Sequence, residues 1–338
     1  MTKIRCGVIG LGRLGSQHAA NIAGCILGSE LLAVSDSSPE VLNRFQSQYP
    51  LVQTFQDYHE LLALKELDAV VIASSTSMHY EMIVASLQAG KAIFCEKPLT
   101  LDRKEALALK TLVHEKKAFV QLGFMRRFDK GYQQAKKMIE SGAIGKPISL
   151  LGISRDPSCP PLAFAKTSGG LIADLCVHDI DLCRWFSGSE VTQVYARGGV
   201  VRYDELLKIG DIDHVNIDFT FENGFLCSLE GSRNSSYGYD VRTEVVCTQG
   251  AAFIGKLNDS SLRVMDSQGI HKETIPGFLE RFKAAYLAEM EHFISDLREG
   301  NPSSVPVEEG LMALELVLAA NESLRTNSPV SIKNTKDI

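Results

Sequence analysis

The residues VIGLGRLGSQH, positions 8–18, constrain what this chain can fold into more than any others. Gly10, Gly12 and Gly15 stand in G-x-G-x-x-G spacing. The pattern alone is weak, but its setting is specific. It follows the short apolar run KIRCGVIG and opens LGSQHAANIAG, whose apolar residues recur at helical spacing up to Gly24. Strand, glycine turn and helix in that order begin a βαβ unit. The glycines permit a tight turn and close approach of backbone to a pyrophosphate, and the helix N-terminus supplies amide donors and a positive dipole end. Arg13 and Leu14 lie inside the turn and join the three glycines as candidate cofactor-binding residues.

The alternation continues. ELLAVSD reads as a second strand, and SPEVLNRFQSQY as a helix with Ser38 as N-cap and Pro39 at its first position. LDAVVIAS is apolar from Ala69 to Ala73, as a strand buried on both faces of a parallel sheet must be. MHYEMIVASLQAG is a helix closed by Gly90, KAIFCEK a strand, DRKEALALKTLVHEKK a charged amphipathic helix and AFVQLGF a strand. The class is α/β, with an N-terminal Rossmann domain expected over residues 1–123.

The second strand ends AVSDSS, which places Asp36 21 residues after Gly15. A carboxylate there accepts hydrogen bonds from adenosine ribose hydroxyls and repels a 2′-phosphate. Ser37, Ser38 and Pro39 follow, and the first arginine after them is Arg44, so NAD is expected as cofactor ahead of NADP. Ser75 and Thr76, and Glu96 and Lys97 of FCEKPLT, stand at carboxyl ends of parallel strands, the edge where such sheets bind ligands. Pro98 directs Lys97 toward extended backbone. His79 reads as a helix-start residue rather than a catalyst.

After Gly123 the period changes. A helix is expected over about 130–141. β-rich runs follow: PISLLGIS, VTQVYARGGVV, DHVNIDFTFENG, FLCSLEGS, YDVRTEVVCTQG and AAFIG, with ENG as a hairpin turn. Amphipathic helices then cover about 278–299 and 307–325. This predicts an α+β C-terminal domain, residues 124–338, with a large, mainly antiparallel sheet for substrate binding and oligomerisation. Two domains suit a length of 338 residues, more than one average core holds.

Net charge is −6 with no basic block, which argues against nucleic acid or an anionic membrane as partner. No apolar run reaches the roughly 18 residues of a membrane span. The start MTKIRCGVIG enters a strand pattern directly, so a cytoplasmic protein is expected. Eight cysteines, at 6, 25, 95, 159, 176, 183, 227 and 247, form no C-x-x-C pair and read as reduced and mostly structural.

ADLCVHDIDL, residues 173–182, is a half-apolar helix with unusual charge. As an α-helix it sets Asp174, His178, Asp181 and Trp185 on one face. Such a helix alone is most simply a solvated face. It also aligns an acid, a proton-transfer group and a second acid.

In combination, GLGRLG, EKP, GFMRRFDKGY, GGLIADLCVHDIDLCRWF, YGYDVRTEV and ERFKAAYLAEMEHF resemble the Gfo/Idh/MocA family of NAD(P)-dependent sugar and polyol dehydrogenases, over essentially the whole chain. Within the family the resemblance is to the inositol 2-dehydrogenase branch. It implies that Lys97 meets the nicotinamide ribose and the reacting hydroxyl. It implies that Asp174 and His178 line the substrate cavity, His178 as general base and Asp174 holding hydroxyls. Lys97, Asp174 and His178 are thus the expected catalytic set. The Gly169–Gly170 pair would let backbone approach the cofactor. Arg127 would touch cofactor or substrate, or serve a salt bridge; Tyr237 and Tyr239 would reach the substrate, or pack. Asp179 and Asp181 stay open between substrate binding and structural roles. Many inositol-active relatives carry a His and an Asn on the strand that here reads ISRDP, where this chain has Ser154, Arg155 and Asp156; an Asp156 facing the pocket would alter which hydroxyls are recognised. Asp174, His178 and Asp181 could present metal ligands, but Lys97 would repel a cation and hydride transfer needs none, so no metal is expected.

The expected activity is NAD-dependent oxidation of a cyclitol hydroxyl to the ketone, myo-inositol or a close relative first and a pyranose sugar second. The competing class is a non-catalytic sugar or NAD-binding regulator. The resemblance also implies a homo-oligomer, dimer or tetramer (a homotetramer in many relatives), packed through the antiparallel sheet.

Overall fold

Strand order makes the first six strands a doubly wound sheet. The computed structural model of the chain describes residues 3–258, 262–267 and 269–332. They divide into two compact units, Met1–Phe128 with Ala284–Leu314, and Asp129–Lys283 with Glu315–Ile338.

The first unit holds β1 (Ile4–Ile9), α1 (Arg13–Gly24), β2 (Ser29–Ser35), α2 (Pro39–Gln48), β3 (Gln53–Phe55), α3 (Tyr58–Leu62), β4 (Ala69–Ile72), α4 (His79–Gln88), β5 (Ala92–Glu96), α5 (Arg103–Lys116) and β6 (Val120–Gly123). The strands run in the order β3-β2-β1-β4-β5-β6, all pairs parallel. The chain reverses direction across the sheet between β1 and β4, where doubly wound sheets open a crevice at the carboxyl ends of their strands. β4 explains itself: Ala69, Val70, Val71 and Ile72 are all fully buried, as a strand covered on both faces requires. Ser38 caps α2 by accepting from the Val41 amide, with Pro39 at the first helical position. The sequence reading lacked β3 and α3, which are only three and five residues long.

The second unit begins with α6 (Lys130–Glu140), β7 (Pro147–Arg155) and α7 (Leu162–Ala165). A π turn (Ile172–Cys176) then leads into α8 (Val177–Ser187), followed by β8 (Val191–Gly199), β9 (His214–Phe221), β10 (Leu226–Ser232), β11 (Asp240–Cys247) and β12 (Gly250–Gly255). A two-stranded ribbon follows, β13 (Val264–Asp266) with β14 (Gly269–His271). The chain ends with α9 (Phe278–Glu299), α10 (Val307–Thr326) and β15 (Val330–Ser331). The main sheet has the order β12-β11-β7-β10-β9-β8-β15. Only β7 with β10 is parallel. The ENG segment closes the β9–β10 hairpin: the Phe221 amide donates to the Phe225 carbonyl at 3.1 Å.

The sequence placed residues 284–314 with the second domain, and the structure differs. α9 leaves helical geometry at Phe282, with φ −114° and ψ 16°. Beyond that point Met290, Phe293 and Ile294 are buried in one core with Cys6, Val8, Ile22, Val71 and Phe94. α10 starts in the same unit, with Gly310 close against Leu99 and Leu122. Apolar spacing shows that a helix has a face to bury but not which sheet buries it. Among the described residues no helix is long and apolar enough to cross a membrane.

Candidate active site

The glycine turn after β1 is built for close approach. Gly10 has φ +91°. A Cβ on Gly15 would come 1.9 Å from the Gly10 carbonyl oxygen, so only glycine lets α1 start this near the strand. A Cβ on Gly12 would meet nothing within 4 Å. No side chain caps the N-terminus of α1 and its first turn has no acid, so its amide donors can serve an anion. Asp36 is pinned beside this turn. Its Oδ2 accepts from the Leu11 amide at 2.8 Å and its Oδ1 from the Ser38 amide at 2.9 Å. These residues fit a dinucleotide with an unphosphorylated ribose. Ser75 is exposed and Thr76 half-buried, in the turn between β4 and α4.

Lys97 follows the last residue of β5, and the Lys97–Pro98 peptide is cis. The elements on either side are anchored inward. Nδ1–H of buried His79 donates to the Pro98 carbonyl at 2.8 Å. Burial lowers the pKa of His79, which keeps the ring neutral. On the other side, Nε2 of His18 lies 2.7 Å from Glu96 Oε1. His79 is thus a support at the start of α4. Arg127, also in the first unit, is buried and pairs with Glu309 Oε2 at 2.6 Å, the salt-bridge alternative of the sequence reading.

In the second unit the charged helix is not a solvated face. His178, Asp179, Asp181 and Arg184 are all buried, alongside Val177, Ile180, Leu182, Cys183 and Phe186. Nor is it a single α-helix. The π turn at 172–176 rotates Asp174 relative to an α-helical register, so the straight stripe Asp174–His178–Asp181–Trp185 does not hold. π turns of this kind recur at functional sites. Asp174, its side chain 21% exposed, has Oδ2 3.7 Å from Nη2 of the fully buried Arg233. Nη1 of Arg233 donates to Asp211 Oδ2 at 3.2 Å, and Asp211 Oδ1 accepts from the Leu171 amide at 2.9 Å. That chain explains the second glycine of the pair. Gly170 has φ +81°, and a Cβ on it would come 2.6 Å from Asp211 Oδ1. Asp179 accepts from Ser154 Oγ at 2.6 Å, both groups buried, which ties α8 to the inner face of β7.

Asp156 stands one residue beyond β7, where its amide donates to the Ser232 carbonyl at 2.8 Å. Tyr237 is 48% exposed. Its hydroxyl donates to Asp240 Oδ2 at 2.7 Å and accepts from Arg155 Nη1 at 3.0 Å, so the ring is held firmly at the surface. Tyr239 is interior: it is buried, edge-on to Phe282 at 6.4 Å, which is the packing alternative. The sequence reading missed Arg233. Its only signal was an arginine directly after β10 in GSRNSS, and nothing in the sequence announces that it is buried.

A family model described as "Oxidoreductase family, NAD-binding Rossmann fold" matches residues 4–124, and one described as "GFO/IDH/MocA C-terminal domain" matches residues 132–253. Scyllo-inositol 2-dehydrogenase (NAD(+)) of Bacillus subtilis is 37% identical over 330 residues, covering 98% of this chain and 96% of its own length. Myo-inositol 2-dehydrogenase of Thermotoga maritima is 38% identical over 333 residues, with coverage of 98% and 99%. The crystal structure of scyllo-inositol dehydrogenase from Lactobacillus casei with bound NAD(H) and scyllo-inositol superposes with a TM-score of 0.91 at 33% identity, covering 98% of this chain and 99% of that one. With both halves matched and relatives aligned over 98% of its length, this chain belongs to the Gfo/Idh/MocA family of oxidoreductases.

Proposed function

We propose that this protein is an NAD-dependent cyclitol dehydrogenase that oxidises one ring hydroxyl of myo-inositol, scyllo-inositol or a close relative to the ketone. The observation that carries the reading is that Lys97, Asp174 and His178 all stand in full motif context in a chain similar throughout to enzymes named for scyllo- and myo-inositol. NAD, when bound, accepts the hydride. Gly10, Gly12, Arg13, Leu14 and Gly15 would hold its pyrophosphate, Asp36 its adenosine ribose, and Ser75, Thr76, Glu96 and Lys97 would line the nicotinamide side. Lys97 fixes the reacting hydroxyl and stabilises negative charge growing on its oxygen. His178 takes the hydroxyl proton on an imidazole nitrogen. Asp174, set by Arg233, accepts from a neighbouring hydroxyl. Asp156 and the fixed ring of Tyr237 complete the recognition of vicinal hydroxyls.

Acids dominate the second-unit candidates, so a carboxylate or phosphate substrate is disfavoured. The test is oxidation of myo-, scyllo- and chiro-inositol, glucose and xylose with NAD, followed by absorbance of the reduced nicotinamide. The inositols should be the best substrates, with a pyranose second. Activity on none of these but on a 2-hydroxy acid or sugar phosphate would overturn the reading, and binding without turnover would favour a regulator. Lys97→Ala and His178→Ala should each lower kcat by about 10² or more, the scale of a lost acid–base group.

The protein is also proposed to self-associate, as a dimer or tetramer, through the outer face of its large sheet. The register places Leu151, Leu226 and Phe253 there, 46%, 56% and 77% exposed. A monomeric mass by light scattering would overturn this. Six of the eight cysteines are buried, which suits the reducing cytoplasm expected from the sequence.

A further inference from the structure

The first unit contains a buried polar cluster of which only Glu96 has a role in the proposed cofactor site. His18 lies on the buried side of α1, and Glu96 is the last residue of β5 and the neighbour of Lys97. Glu289, on α9, completes the group: ligand-capable atoms of the three residues lie within 4.8 Å of one another. All three are buried, Glu289 completely. Neither carboxyl oxygen of Glu289 has a hydrogen-bond partner among the described residues. The surroundings are rigid. The His18 ring is held edge-on by Phe94 at 5.4 Å and Tyr286 at 6.0 Å, and Gln121 Nε2 donates to the Glu289 carbonyl at 3.4 Å. Glu96 is confined too, since a Cβ on Gly123 would come 2.9 Å from its Oε2.

Two occupants could reconcile two buried carboxyls, a cation or a proton. Geometry separates them. Ligand atoms about 2.1 Å from a tetrahedral metal stand roughly 3.4 Å apart. The 2.7 Å between His18 Nε2 and Glu96 Oε1 is a hydrogen-bond distance. Two carboxylates this close in a dry site cannot both ionise cheaply, and an unpartnered carboxylate buried without compensation is far more costly than the neutral acid. Burial first, and the charge of Glu96 second, raise the pKa of Glu289 well above the usual glutamate range.

We propose that His18, Glu96 and Glu289 form a proton-sharing anchor in which a neutral Glu289 is a positioning residue for Lys97. Glu96 is bound by His18 and has Glu289 within 4.8 Å, while His79 holds the Pro98 carbonyl, so contacts fix the backbone on both sides of Lys97. His18 also sits one and a half turns into the helix that begins at the glycine loop, so the anchor links that helix to the strand presenting Lys97.

The proposal rests on the dehydrogenase reading for its kinetic part alone, and the test separates the two. The full chain, with NAD bound, is compared with Glu289→Gln and Glu289→Leu. An infrared difference spectrum of wild type minus Glu289→Gln should show the carbonyl stretch of a protonated carboxyl. Glu289→Gln, neutral and of the same shape, should keep kcat within about threefold, whereas Glu289→Leu should lose about tenfold to 10²-fold in kcat, the scale of misplacing a reacting group. KM for NAD should change little in either. The proposal is overturned if the carbonyl band is absent, if Glu289→Gln loses as much as Glu289→Leu, if Glu289→Leu keeps its kcat, or if the wild type carries stoichiometric metal that Glu289→Gln lacks. Should Glu289→Leu fail to fold, the band and Glu289→Gln decide. Should the wild type oxidise no polyol, the dehydrogenase reading falls and the band still decides the anchor.

Discussion

Asp36 shows how one side chain can be read from sequence and still be explained only by structure. Its position at the end of β2 was legible from the glycine spacing, but not the two amides, of Leu11 and Ser38, that orient its carboxylate. An acid held this way cannot swing aside for a 2′-phosphate. Asp36→Ala should therefore raise KM for NAD by about tenfold or more, the equivalent of a hydrogen bond to a charged group, and raise the ratio of NADP to NAD use. Steady-state kinetics with both cofactors checks this, and equal use of NADP by the wild type would refute it. Glu289 is the opposite case. In ERFKAAYLAEMEHF it reads as one more charge on an amphipathic helix, and only the docking of α9 into the first unit buries it. The burial has a sign in pH. The folded chain keeps a proton on Glu289 that the unfolded chain, with an ordinary value of 4.5, releases. The native state then binds more protons than the unfolded state, so stability falls as pH rises above about 4.5. Glutamine does not titrate, while His18, Glu96 and Tyr286 around the site are common to both proteins. The stability of Glu289→Gln relative to wild type should grow between pH 5 and 8, by up to about 1.4 kcal/mol per pH unit. Urea unfolding across that range measures it, and a constant difference would contradict a neutral Glu289.

At the scale of the element, strands and helices with one strong period were legible. β4, α2 with its Ser38–Pro39 start, and the β9–β10 hairpin stand where the residues put them. The segment from Gly169 to Ser187 was harder. Its charges suggested an exposed α-helix, because periodicity assumes 3.6 residues per turn and solvent as the partner for charge. The structure supplies protein partners instead: Ser154 for Asp179, Arg233 near Asp174 and Glu190 for Arg184. It also widens one turn, which no apolar spacing encodes. The glycine pair was expected to serve the cofactor, and within its own unit Gly170 makes room for Asp211. Gly170→Ala combines a left-handed φ with a contact of 2.6 Å to Asp211 Oδ1, and such strain costs about 1–3 kcal/mol. Asp211 would have to shift, and Arg233 and Asp174 with it. KM for the polyol should rise about tenfold or kcat fall to match, with NAD affinity retained because the glycine turn is in the other unit. Unchanged polyol kinetics would show that Asp211 does not order Asp174.

On the scale of the whole molecule, the class and both sheets were legible, but the division of the chain was not. A cut at 123/124 follows the change of period from parallel to antiparallel strands. It ignores Ala284–Leu314, which returns to the first unit after 155 residues of the second. Met290, Phe293 and Ile294 are essentially fully buried against β1, β4 and β5 residues. At about 1.5–3 kcal/mol for each buried apolar side chain, losing these three removes roughly 5–9 kcal/mol. That is comparable with the whole stability of an ordinary domain, about 5–15 kcal/mol. A fragment of residues 1–128 should therefore show no cooperative thermal transition and no NAD binding, although it carries the complete glycine turn and Asp36. Joining residues 284–314 to it through a flexible linker should restore both. Circular dichroism melts and NAD titration of the two fragments are the measurements. If the short fragment melts sharply and binds NAD, the return of α9 is an accessory to the Rossmann core, and the expectation of an independent domain over residues 1–123 stands.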